Sequence, residues 1–363
     1  MKILLTVAAL DSFHGSVVHI IELANFLSEK NNVSIVSAYI ADKVRIAFNK
    51  NIKIITLNDV NENAFYDLIW SYHFPILCFI LNKKIFSRKL IVGSLSSVEP
   101  LETYPIFWDS CSKLHCFAHF AAKAHAENYS IPLNKIFIME NLVPDCYDVE
   151  HVVTKFRKYP NRIAVVSNHP PLEVIALQRQ FNISYFGGKN NVRITPDLLL
   201  KFDLILTIGK TVQYGLVLGI PVYNYDHFGG DGYITLQNID FESNYGFTGK
   251  PNYRKLSTVE LALEIKTNYQ STRLQVDQLR TIAKDRYLVS NQVPRFLSDL
   301  NSMPDFDIEK LRDYKAYIAQ CSLFANIIAN SFSKQEKPSL KKRLLRKIKK
   351  IFIRTKRLES ESK

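Results

Sequence analysis

DLILTIGKTVQYGLVLGIPVYNYDHFGG, residues 203–230, decides the architecture of this chain. The stretch opens with the apolar strand-like segment DLILTIG. A helical segment follows from Thr211 to Leu218, and a second strand, PVYNYD, begins at Pro221 and runs into an acid, a histidine and glycines. Strand, helix, strand at this spacing is a crossover unit, because parallel neighbours need a long connection. Upstream, RIAVVS from Arg162 and ISYFGG from Ile183 are strand candidates, with a helical segment around Leu172 to Arg179 between them.

The first half repeats the pattern. KILLTVAA, VSIVSAY, IKIITL, DLIWSY, KLIVGSL and KLHCFAHF have strand length and composition. GSVVHIIELANFLSEK places Val18, Ile21, Leu23, Ala24 and Leu27 at helical spacing. Repeated strand, helix, strand order implies parallel sheets covered on both faces. The fold class expected is therefore α/β, with two doubly wound Rossmann-like domains facing a cleft. ENLVPDCYDVEHVVTKFRKYPNR carries prolines and charges without a long apolar run, which places the boundary near Tyr159. The expected division is 1–158, 159–304, a C-terminal helix over 305–333, and a basic amphipathic tail over 334–363.

Charge is concentrated in that tail. The chain of 363 residues has a net charge of +13. Thirteen Lys and Arg against three Glu from Lys334 onward supply +10 of it, leaving +3 for the other 333 residues. Leu340, Leu344, Ile348, Ile351 and Phe352 form one helical stripe among the cations, a pattern suited to an anionic membrane surface. A disordered basic tail or a nucleic-acid arm are the alternatives. No aromatic stacking platform accompanies the stripe, which disfavours nucleic acid. The five cysteines are irregularly spaced with no secretory signal ahead of them, so reduced thiols and a cytoplasmic location are expected. No apolar run reaches the length of a membrane span.

The opening residues, with Gly15, His19, Glu22, Leu23, Ala24, Leu27 and the strand from Val33, resemble those of nucleotide-sugar glycosyltransferases of the GT-B fold. The 203–230 stretch is similar to the donor-binding segment of that fold. With SNHPP at 167–171, it looks like a group of bacterial transferases that build surface polysaccharide. The resemblance covers roughly residues 1–235. It implies a nucleotide-sugar donor on the second domain and a lipid-linked or polysaccharide acceptor on the first, in lipopolysaccharide or capsule synthesis. Retaining members of family four carry two glutamates where this chain has Leu206 and Tyr214, so their donor contacts and stereochemical outcome do not carry over.

Several residues are candidates for chemistry. Gly209, Lys210 and Thr211 lie where a strand meets a helix, and the unpaired amides and positive dipole end there suit a diphosphate; a capped turn is the plain alternative. Asp226, His227, Gly229, Gly230 and Asp231 follow the next strand, where glycines admit a ligand close to the backbone; an ordinary tight loop would look the same. Asn168 and His169 end another strand at the same edge, and Gly187 and Gly188 offer backbone to a nucleobase. In the first domain Asp11 is the first candidate for a base taking the acceptor proton, with His14 and His73 behind it. No resident cofactor and no metal is expected, the nucleotide sugar being substrate; Cys111, His115, Cys116 and His119 do not match a zinc spacing. A sugar-nucleotide 2-epimerase of the same fold and a non-catalytic membrane-bound protein are the rival functions.

Overall fold

The computed structural model of the chain describes residues 1–150 and 158–336. Lys2–Leu10 (β1) shows why the sheets form. Its Leu4 and Ala8 enter one apolar core and Ile3, Leu5, Val7 and Leu10 the opposite one, so both faces of the strand are buried. Each of these Leu, Ile and Val side chains removed from water contributes about 1.5–3 kcal/mol. Around it lie Asn32–Ile40 (β2), Lys53–Thr56 (β3), Phe65–Ser71 (β4), Phe86–Ser94 (β5), Lys113–Cys116 (β6) and Ile136–Ile138 (β7). The seven run parallel in the order β3-β2-β1-β4-β5-β6-β7.

Arg162–Val166 (β8), Asn182–Phe186 (β9), Leu204–Thr207 (β10), Val222–Asp226 (β11) and Gly229–Tyr233 (β12) make a second sheet, ordered β12-β11-β10-β8-β9. The first four are parallel, and β12 turns back antiparallel on β11. The two-sheet α/β class expected from the sequence is the one observed. β12 corrects the loop expected at Gly229 and Gly230. A Cβ on Gly230 would stand 1.9 Å from the Asn224 carbonyl oxygen, and one on Gly229 would stand 2.3 Å from that of Arg254. Gly230 lets the two strands of the hairpin approach each other, and Gly229 lets the hairpin approach the segment at Arg254.

Behind the hairpin, Glu242 is fully buried and accepts a 2.7 Å hydrogen bond from Asn224 Nδ2. Burial first, and then the Asp231 carboxylate, push its pKa up to about 8 from 4.5. The folded chain thus holds a proton that the unfolded chain releases. The stability this contributes is complete below pH 4.5 and is lost as pH rises through about 8. Glu242→Gln keeps a neutral group there. It is expected to melt with the parent at about pH 5 and above it at about pH 9. Melting curves offset equally at both pH values would contradict the assignment.

The C-terminal segment returns to the first sheet. The chain leaves at Val143 and comes back at Val289, where Val143 N–H donates to the Tyr287 carbonyl at 2.8 Å and Val289 N–H to the Val143 carbonyl at 2.9 Å. Val289, Val293, Phe296 and Leu300 then join the core that holds β1, although the sequence counted them with the second domain. Phe306, Leu311, Ile318, Cys321 and Ala325, the last three on the helix Lys315–Glu336, fill the other core of the same sheet. The expected membrane stripe from Leu340 to Phe352 lies outside the described residues.

Candidate functional site

The carboxyl ends of both sets of parallel strands face one cleft, the usual ligand edge of open α/β sheets. On the second sheet, a cavity of about 270 Å³ is walled by residues where four strands end: Val166–His169 at β8, Phe186 and Gly187 at β9, Thr207 and Ile208 at β10, and Asp226 and His227 at β11. The helix Lys210–Leu218 starts here, with Gly209 as its N-cap at φ +64°, a conformation that favours glycine. Lys210, Thr211 and Tyr214 line the cavity. First-turn amides have no partner inside their own helix, so this end attracts anions. The first domain closes the wall: Phe13 N–H donates to Asn191 Oδ1 at 3.0 Å, and Asn191 Nδ2 donates to the Phe13 carbonyl at 3.2 Å.

A second cavity, of about 670 Å³, opens along the first sheet and lies within the size range of ligand clefts. Asp11, Ser16, His73 and Glu102 give it polar groups, and Leu95, Val98, Phe117, Phe120, Ile328 and Phe332 give it an apolar wall. His14, Gly15 and Lys210 line both cavities. At this junction His14 Nε2 is 3.1 Å from Asp11 Oδ1, and Ser16 Oγ is 3.1 Å from His14 Nδ1. The bond to His14, opposed by partial burial, holds the Asp11 carboxyl below the usual carboxylate range. Asp11 is therefore an acceptor, which puts the ring proton on Nε2 and leaves Nδ1 as the basic atom.

No protein-family model and no curated protein matches the chain. Solved structures do. HepE of Anabaena, in complex with UDP-glucose, aligns with a TM-score of 0.53 at 14% identity, over 83% of this chain and 100% of its own. A glycosyltransferase from Rickettsia africae aligns with a TM-score of 0.56 at 14% identity, over 83% and 98%. The lipopolysaccharide outer core galactosyltransferase WaaB aligns at 0.50 and 13%, over 83% and 99%. The fold is GT-B.

Within this GT-B frame, most residues singled out from the sequence reach the cleft. Asn168, His169, Gly187, Lys210, Thr211, Asp226 and His227 line the smaller cavity, and Asp11, His14, His73 and Gly209 the larger. Gly188 stands just behind, its N–H donating to Asn168 Oδ1 at 3.0 Å. Gly229, Gly230 and Asp231 line neither cavity, the glycines because the hairpin needs them and Asp231 because it holds Asn252 Nδ2 at 2.7 Å. Asp226 ties strand ends together: Ser167 Oγ lies 2.8 and 2.9 Å from its two oxygens, and His227 N–H donates to Oδ1 at 2.8 Å. Burial, opposed by these bonds, raises its pKa.

Two expected roles change. His73 Nδ1 accepts the Ala8 N–H at 2.8 Å, so its ring proton sits on Nε2, 3.6 Å from Glu102 Oε1. With its lone pair taken, His73 cannot remove a proton while that bond lasts. Lys210, expected to neutralise phosphate, has its Nζ 2.6 Å from Glu22 Oε2 and donates to the Leu142 carbonyl. Tyr214 OH donates to the other Glu22 oxygen and its ring stacks on Tyr147 at 4.3 Å. Burial pushes the Lys210 ammonium down and the Glu22 carboxyl up, and each partner opposes the other's shift. Glu22 was visible in the sequence as an acid inside the apolar face of the first helix. Glu102, in the turn Pro100–Glu102, has no such signal.

Proposed function

We propose that the protein is a glycosyltransferase that moves a sugar from a nucleotide-sugar donor, held in the cavity of the second sheet, to a lipid-linked or polysaccharide acceptor in the larger cavity. The observation that carries this is the junction: His14, Gly15 and Lys210 border both cavities, so donor and acceptor would meet beside one imidazole. The attacking acceptor hydroxyl displaces the Ser16 hydroxyl from His14 Nδ1 and gives its proton to that nitrogen, an exchange open to a half-exposed side chain and not to the backbone bond that holds His73. Asp11 holds the opposite nitrogen and stabilises the imidazolium that forms. The diphosphate leaves against the N-terminus of the Lys210–Leu218 helix, where dipole and amides oppose its growing charge. No step in this scheme calls for a bound metal. UDP and UDP-glucose in the structures of HepE make uridine diphosphate sugars the first donors to try. A basic tail at the inner face of a membrane suits an acceptor carried on lipid.

The test is a melting screen of the full chain against nucleotide sugars of several bases. A donor at 100 times its Kd stabilises the binding state by about 2.7 kcal/mol, a clear upward shift. Stabilisation by UDP-sugars and transfer to a lipid-linked glycan are expected. No shift with any nucleotide sugar would refute the proposal.

A further inference from the structure

The last described helix, Lys315–Glu336, is buried on one side only over residues 315–332. Ile318, Cys321 and Ala325 enter the core of the first sheet, whereas Leu323, Phe324 and Ile327 are 60%, 49% and 60% exposed. Scattered apolar residues on a surface need no explanation, but three neighbours within two helical turns do. Their register links them to the larger cavity. Phe324, Ile328 and Phe332 follow one another at four-residue spacing, one above the next on the same face. Ile328 and Phe332 line the cavity, and so does Val98, which is 74% exposed. An apolar track thus runs from the outer surface of the helix to the acceptor side of the cleft.

We infer that Leu323, Phe324 and Ile327 form a bilayer-docking surface, which sets the mouth of the larger cavity at the headgroup level of an anionic membrane. The occupant follows from what comes next in the chain. Residues 337–363 carry twelve Lys and Arg against two Glu, interleaved with leucines and isoleucines, and they continue directly from this helix. Cationic attraction to anionic headgroups and insertion of apolar side chains reinforce each other in interfacial binding. No helix among the described residues is long and apolar enough to cross a membrane. A lipid-anchored acceptor would reach the cavity along the Phe324, Ile328, Phe332 track without leaving the interface. That last step rests on the proposed transferase function; the docking surface does not.

The test uses the full chain, with and without Leu323→Asn, Phe324→Asn and Ile327→Asn together, sedimented with phosphatidylcholine vesicles containing or lacking phosphatidylglycerol at matched salt. The triple variant is expected to bind the anionic vesicles about tenfold more weakly or worse, with unchanged melting. Binding within about twofold of the parent would overturn the inference and leave the tail as sole anchor. A parent that self-associates through this face, with the variant monomeric and vesicle binding equal, would also overturn it in favour of a second copy. Should the triple variant fail to fold, Ile327→Cys in a Cys146→Ser background, labelled with a polarity-sensitive dye, is expected to shift to the blue on anionic vesicles. Absence of that shift would overturn the inference. Nucleotide-sugar melting shifts, scored separately, distinguish failure of this surface from failure of the transferase proposal.

Discussion

His14→Ala is expected to lower kcat about 10²- to 10⁴-fold, the usual cost of losing a general base. The geometry specifies which part of the effect belongs to which residue. His14 lines both cavities, Asp11 fixes its tautomer from 3.1 Å at Nε2, and Ser16 Oγ stands 3.1 Å from Nδ1, where the acceptor hydroxyl would replace it. Asp11→Asn keeps a hydrogen-bond acceptor but removes the charge that stabilises imidazolium. Its expected loss in kcat is smaller, about 10²-fold, and the double variant should lose little more than His14→Ala, because the two act as a unit. His73→Ala disturbs the Ala8 amide and the Glu102 side and should leave no such base-type signature in the pH profile. The measurement is steady-state transfer with each variant, alongside donor affinity from melting shifts. A kcat for His14→Ala within tenfold of the parent, with donor binding intact, would remove His14 from the chemistry.

The second large effect concerns stability. Glu22→Leu is expected to destabilise the fold by about 3–5 kcal/mol, because it strands the buried Lys210 ammonium in the domain interface. Tyr214 loses its hydrogen-bond acceptor in the same change. Combining Glu22→Leu with Lys210→Met removes the unpaired charge and should recover most of the loss, since a buried pair replaced by apolar groups of similar volume is often close to neutral. Denaturant midpoints of the two single variants and the double variant form the cycle. Additive losses would show that the two side chains do not act on each other. The recovered double variant also asks whether donor binding needs the lysine itself, which stability alone does not decide.

Much of the architecture was legible because parallel strands buried on both faces leave contiguous apolar runs, as VSIVSAY and DLILTIG do. The exceptions have physical causes. β12 was read as a loop because GGDGY lacks β-branched side chains, yet glycine is what the close approach to Asn224 and Arg254 demands. The packing of the helices after Val289 on the first sheet was hidden because amphipathic spacing shows that a helix has a buried face and not which core receives it. For the cleft, chain position was a good guide: residues just after parallel strands, such as Asn168, Thr211 and His227, arrive at the shared edge. Partnership was not legible. Neither the pairing of Lys210 with Glu22, 188 positions apart, nor the occupied lone pair of His73 has a local signature.

The double crossing at Val143 and Val289 makes the second sheet, in connectivity, a cassette inserted into the first domain. The outgoing and returning chains are hydrogen-bonded to each other, so the insert's covalent links to the first domain form one tied neck, beside the contacts made through Lys210, Tyr214 and Asn191. Grafting the second sheet and its helices from another GT-B protein onto this one would thus require two cuts made side by side. A chimera joined at one point alone would exchange part of the first domain's core along with the cavity of the second sheet.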